Sequence, residues 1–144
     1  MLRYLFRAGT PAHVAVYRLT GGRLLGSLGR RAPILLLTTV GRKTGKERTN
    51  PLVYGEDDGR YVVVASAGGA STHPAWYLNL ASNPAATIEV KGRRLAVTAQ
   101  TASPGEKARL WPKMTAAWPG YDAYQRKTRR DIPLVILTPV TPAA

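Results

Sequence analysis

A mainly β domain, with about six strands in a small closed or split barrel and helices outside, is the fold class this sequence predicts. Three observations carry it. Six apolar or alternating runs, at residues 34–40, 49–55, 60–66, 85–91, 94–101 and 133–138, have the length and composition of strands. Asp58-Gly59 and Lys91-Gly92 stand where consecutive runs join and are hairpin signals. Helix signals flank the hairpins and do not alternate with strands one for one, which argues against a doubly wound parallel sheet.

Taken in order, Thr10-Pro11 is a helix start, with Thr as N-cap and Pro at the first helical position. The expected helix spans 11–29, with Val14, Tyr17, Leu24, Leu25 and Leu28 as its apolar stripe and Arg18, Arg23 and Arg30 beside it. It fits either a helix packed on the core or a basic amphipathic helix on a membrane surface. Leu2, Tyr4, Leu5 and Phe6, interleaved with Arg3 and Arg7, would add to membrane attachment. Residues 1–10 are expected to be a flexible basic N-terminus, and residues 33–140 the barrel with its helices, one domain in all.

Ile34-Leu35-Leu36-Leu37-Thr38-Thr39-Val40 is a buried strand, and Pro51-Leu52-Val53-Tyr54 continues the chain as another. Tyr61-Val62-Val63-Val64 follows the Asp58-Gly59 turn and ends in the small-residue run Ala65-Ser66-Ala67-Gly68-Gly69. Pro74 opens a short helix that Asn83-Pro84 stops. Ser103-Pro104-Gly105-Glu106 is a capping box whose helix carries Leu110, Trp111 and Met114. Tyr121-Asp122-Ala123-Tyr124 is a further short helix before the last strand.

At 144 residues the chain is about one domain. With no cysteine and two histidines, disulfides and thiolate metal sites are excluded and no metal is expected. No apolar run approaches the roughly 20 residues needed to span a bilayer. The formal charge is +13, and the first acidic residue is Glu47. Such a surface attracts phosphates, carboxylates, nucleic acid or an anionic membrane face. Nucleic acid is the weakest of these, because the aromatics lie late in the chain, away from the N-terminal cations. The expected location is cytoplasmic, with peripheral contact at the inner face of the membrane as the variant of it.

The segment Gly41-Arg42-Lys43-Thr44-Gly45-Lys46-Glu47-Arg48 follows the first strand and concentrates charge on one turn. It is not a nucleotide P-loop. Three residues, not four, separate its glycines, Glu47 holds the Ser/Thr place, and a strand follows where a helix is required. It fits either a solvated basic turn or a phosphate site in which the glycines let backbone N–H groups face the anion. No hydrolytic constellation assembles: Ser66 needs a base, and His73, the nearest, is explained by helix entry before Pro74. Chains so poor in catalytic groups borrow chemistry from a cofactor. Trp76 and Asn79 share one helical face, Trp76 as core anchor or ligand contact. Tyr121 and Tyr124 are three apart and fit either core filling or hydrogen-bond donation to a substrate oxygen.

Taken together, Leu37–Gly45, Arg48, Asn50-Pro51-Leu52, Ala65-Ser66, Gly68-Gly69, Pro74, Trp76-Tyr77-Leu78-Asn79-Leu80 and Asn83-Pro84 resemble the deazaflavin-dependent nitroreductase family, F420-dependent oxidoreductases of actinobacteria with a split β-barrel of the FMN-binding type. Trp111-Pro112, Trp118-Pro119, Tyr121, Tyr124-Gln125 and Ile132-Pro133 continue the resemblance, which runs from about residue 10 to residue 139. It implies that reduced F420 binds in the barrel groove. Lys43, Thr44, Gly45 and Arg48 would hold its phosphate and acidic tail. Pro51, Leu52 and Val53 would line the deazaflavin ring, with Ala65, Ser66, Ala67, Gly68 and Gly69 on the other strand and Ala75, Trp76 and Asn79 closing the site. Hydride would pass to a quinone, enone or nitroaromatic, with Ser66, Tyr121 or Tyr124 donating a hydrogen bond or proton and Trp118, Tyr121 and Tyr124 shaping the substrate wall. In nitroreductase-active members a lysine is expected at Ala67 and tyrosines at Val53 and Trp118, so the resemblance implies cofactor use more firmly than nitro reduction. An FMN enzyme, or a lipid- or haem-binding barrel without turnover, are the alternatives.

Overall fold

The structure, a computed structural model, describes residues 27–28 and 32–140. Among these residues seven strands run in chain order: β1 (Ser27–Leu28), β2 (Ala32–Val40), β3 (Glu47–Asp57), β4 (Arg60–Val64), β5 (Ala85–Val90), β6 (Arg93–Thr101) and β7 (Leu134–Pro139). Among the described residues three α-helices accompany them: α1 (Ala75–Ser82), α2 (Pro104–Ala117) and α3 (Gly120–Lys127). All pairings are antiparallel, in the order β1-β2-β3-β4-β7-β6-β5. β5 returns to β2 through Leu36–Thr38, so β2 to β7 close into a six-stranded barrel. Closure removes the free edges that an open sheet would present.

Both faces of several strands are buried, which explains their unbroken apolar runs. Leu35, Leu37, Val63, Val135 and Leu137 point into the barrel with Tyr54, Trp76 and Ile88. Their neighbours Val62, Val64, Leu134 and Ile136 point outward and are covered by Leu110 and Met114 of α2 and Tyr121 of α3. Ile34, Leu36 and Val53 form a third cluster beneath Ala117 and Trp118. Alternation of period two therefore sorts residues between two cores, not between core and solvent. Burying each Leu or Met contributes about 1.5–3 kcal/mol.

The turns form as expected. Asp58 and Gly59 have φ of 53° and 79°, and Lys91 and Gly92 have 50° and 76°, as a type I′ hairpin turn requires. The Ser103–Glu106 capping box is complete, with bonds of 3.2 and 2.9 Å. Asn83 closes α1 by donating its N–H to Asn79 O at 2.8 Å.

The first two strands extend beyond their expected bounds, to Ala32–Val40 and Glu47–Asp57, and two further boundaries differ with a clear physical reason. The helix expected over 11–29 lies outside the described residues except at its end, where Ser27 and Leu28 pair with Pro33 and Ala32 as a strand. Edge pairing with β2 supplies backbone bonds there that a helix end would have left open. The strand expected over 60–66 stops at Val64. The Arg130 guanidinium takes the carbonyls of Ala65 (3.1 Å) and Ser66 (2.6 Å), which diverts them from a ladder.

The opening that makes the barrel split lies along β3. Its residues 47–53 pair with β2, but β4 joins only from Tyr54 onward. Pro51, which has no N–H to donate, sits in this half-paired stretch, where a strand tolerates proline. Among the described residues no helix is long and apolar enough to cross a membrane.

Candidate active site

The basic turn between β2 and β3 is held from inside and from α1. Gly41 donates its N–H to Lys46 O at 2.8 Å, and Gly45 donates to Gly41 O at 2.8 Å. Thr44 Oγ1 accepts from the Lys46 N–H at 3.2 Å. Gly45 has φ of +70°, and a Cβ on Gly41 would stand 2.9 Å from Thr44 Oγ1. The two glycine N–H groups thus close the turn by bonding to its own carbonyls, so of the two readings open from sequence the N–H groups of Gly41 and Gly45 fit the turn. Attraction comes instead from side chains: Arg42, Lys43, Thr44 and Arg48 line a groove of about 470 Å³ that carries one carboxylate, Glu47.

Asn79 ties this turn to α1. Its Oδ1 accepts from the Arg42 N–H at 3.1 Å, and its Nδ2 donates to Thr39 Oγ1 at 3.1 Å. Asn79 as a whole is 4% exposed. Asn79 borders the groove, but its amide serves the protein's own turn.

A second cavity, of about 320 Å³, adjoins the groove; Asn50, Ala75 and Trp76 line both. Its walls are Leu52 and Val53 of β3, Val64, Ser66, Ala67 and Gly68 at the end of β4, Thr72–Trp76 at the start of α1, and Trp118, Tyr121 and Tyr124. Sequence reasoning gathered most of these, although they lie on segments far apart in the chain, from Leu52 to Tyr124. Four expected residues line neither the groove nor the cavity. Gly45 shapes the turn. Pro51 and Ala65 are buried, Ala65 completely and in the barrel core. Gly69 packs against α3.

The turn after β4 has three successive residues with positive φ: Ala67 (46°), Gly68 (64°) and Gly69 (82°). A Cβ on Gly69 would lie 2.9 Å from Tyr124 O and 3.1 Å from Tyr124 Cα. Glycine there lets α3 touch the turn, and the contact brings Tyr121 and Tyr124 to the cavity. Arg130 fixes the same loop from behind, donating to Ala65 O, Ser66 O and Ala70 O and to His73 Nδ1 at 2.9 Å.

The cavity has several hydrogen-bonding groups. Burial pushes the Tyr121 phenol far above its ordinary value, with a further contribution from Tyr124. It therefore stays protonated and able to donate. The Tyr121 and Tyr124 rings meet edge to face at 6.2 Å, and Trp118 Nε1 donates to the Tyr124 hydroxyl at 3.4 Å. Ser66 completes the polar side. Sequence reasoning missed His73, which lines the cavity, and Arg130, which holds it. They are 57 residues apart, and no local pattern links them.

The residues present fit a flat ring joined to an acidic tail. The cationic groove suits the tail, and a cavity walled by Leu, Val and aromatic side chains suits the ring.

Comparisons agree with this geometry. Residues 10–139 match the family model of the F420H(2)-dependent quinone reductases. An F420H(2)-dependent quinone reductase of Mycobacterium tuberculosis is 42% identical over 129 residues, which is 88% of this chain and 87% of the relative. The solved structure of an F420-H2 dependent reductase, FDR-A, is 39% identical, with a TM-score of 0.68 over 77% of this chain and 96% of that one. The haem-storage protein HutZ of Vibrio cholerae has a TM-score of 0.58 at 16% identity, covering 91% and 90% of the two chains, and shares the fold alone. The chain belongs to the F420H(2)-dependent quinone reductase family.

Proposed function

We propose that this chain reduces quinones with F420H2, the acidic part of the cofactor lying in the basic groove and its ring in the adjoining cavity. The observation that carries the placement is the continuity of groove and cavity at Asn50, Ala75 and Trp76. When bound, the reduced deazaflavin supplies a hydride, and the quinone takes it with one proton to become a hydroquinone. Lys43, Thr44 and Arg48 bind the phosphate and carboxylates. Leu52, Val53, Ala67, Gly68 and Trp76 keep water from the ring and hold it flat, so that the acceptor stacks within reach. Tyr121 donates a hydrogen bond to the acceptor oxygen as charge develops on it, with Ser66 and Tyr124 as further donors.

Enones share the polarised oxygen and electrophilic carbon of a quinone and belong to the same proposal. Nitroaromatics rank below them, because Ala67, Val53 and Trp118 reshape that wall. Peripheral contact with an anionic membrane face rests on the +13 charge. Co-sedimentation with vesicles of acidic lipid, lost in high salt, is the expected outcome. The function itself is tested by adding menadione to protein and F420H2: the reduced cofactor is consumed. No consumption with menadione or any enone, while F420 still binds, would leave a binding protein.

A further inference from the structure

Arg130 has only donors, so an atom it contacts must accept. One guanidinium reaches four acceptors: Ala70 O at 2.8 Å, Ala65 O at 3.1 Å, Ser66 O at 2.6 Å and His73 Nδ1 at 2.9 Å. Three of them are backbone carbonyls, and the fourth is a ring nitrogen. Nδ1 of His73 must therefore carry its lone pair, and the proton of the neutral ring sits on Nε2. A doubly protonated ring would set an N–H against the guanidinium. Burial and then the Arg130 charge lower the basicity of this imidazole, in the same direction. The ring is also held by Tyr77, whose centroid is 4.8 Å away at 52°. His73 lines the cavity together with Ser66, Tyr121 and Tyr124.

We propose that His73 is an acceptor-binding residue. Its Nε2–H donates to an oxygen of the quinone in the cavity, and Arg130 is the positioning residue that fixes this tautomer. A neutral imidazole donor can polarise a carbonyl without itself giving up a proton, so His73 divides the work with Tyr121 and does not replace it. Arg130 sets the donor and the Ser66 wall together, because the same guanidinium holds both.

The proposal rests on quinone reduction occurring in this cavity, and two measurements separate the two ideas. The first is a long-range proton–nitrogen spectrum of the wild-type protein with oxidised F420, in which no turnover occurs. His73 is expected as the Nε2–H tautomer at pH 7, with its Nε2–H resonance moving when menadione is added. An Nδ1–H or doubly protonated ring, or a resonance indifferent to menadione, would overturn the proposal. The second is steady-state kinetics. His73→Phe should lower kcat/KM for menadione by roughly ten- to hundred-fold, with F420 affinity within about two-fold of wild type. His73→Gln, which keeps an amide donor, should recover most of the loss. Equal activity in the two variants would also overturn the proposal. Arg130→Lys should let Nδ1–H signal appear, a change that a purely structural role would not produce. Wild-type protein that binds F420 but never reduces menadione would instead overturn the functional reading.

Discussion

The groove and the cavity meet at Asn50, Ala75 and Trp76 but are built in opposite ways. The groove comes from one turn, its flanking strands and the edge of α1, with exposed cations around glycines that bond only to their own turn. The cavity is assembled from β3, the loop after β4, the start of α1, the end of α2 and α3, and it depends on backbone-to-backbone contact at Gly69. The groove should therefore act by charge and tolerate change. The cavity should act by shape and by placed donors, and it should not tolerate change.

Paired glycine substitutions make the largest break in this comparison. Gly69→Ala places a Cβ 2.9 Å from Tyr124 O at φ +82°. It should cost about 2–4 kcal/mol in chemical denaturation and weaken quinone turnover with it. Gly45→Ala meets nothing within 4 Å and has only its φ of +70° to bear. It should cost about 1 kcal/mol. Equal losses would mean that the two regions are not built differently.

Tyr121→Phe should come next. Removing a buried donor lowers kcat/KM for menadione about ten- to hundred-fold and leaves F420 affinity in place. The Tyr121 phenol titrates above its ordinary value of about 10, so its proton is retained as pH rises. The wild-type pH profile should therefore show no loss from this group up to about pH 10. A clear fall near pH 9 that disappears in Tyr121→Phe would contradict the assignment.

Lys43→Ala with Arg48→Ala should weaken F420 binding about ten-fold, as expected for exposed charge pairs, and reduce its salt dependence. The KM for menadione at saturating cofactor should not move. A reversed pattern, with KM changed and F420 affinity intact, would place the acceptor in the groove.

The smallest effect concerns neither region. Arg109 and Arg60, bonded to Asp57 at 3.0 and 2.7 Å, hold its carboxyl well below the usual carboxylate range. The unfolded chain then binds the proton more readily, so the pair's stabilisation is present above about pH 4 and fades as pH falls below it. Asp57→Asn should flatten the acid limb of a plot of thermal midpoint against pH. An unchanged limb would assign acid sensitivity elsewhere.

Much of this was legible in the sequence. The strands from Ile34 to Leu137 announced themselves by apolar runs and hairpin turns, and α2 by its capping box. Barrel closure through Leu36–Thr38 and β5 was less so, because pairing partners about 50 residues apart leave no local trace. The groove's side chains could be listed from one segment, whereas the purpose of its glycines could not. Their N–H groups looked free until the turn's own carbonyls were placed. Gly69 was expected to line the ring, whereas its reason for being glycine is the backbone of Tyr124. His73 looked like a residue at the mouth of a helix, since Arg130, which gives it a fixed proton, lies beyond two further helices in the chain.

The division between groove and cavity is tested most directly by titrating F420, beside FMN, into wild-type protein and the Lys43→Ala/Arg48→Ala variant, followed by fluorescence. The expected result is F420 binding in the micromolar range or tighter, stronger than FMN, weakened by added salt and by loss of the two cations. F420 binding that ignores both salt and the double substitution, or tighter binding of FMN, would contradict it.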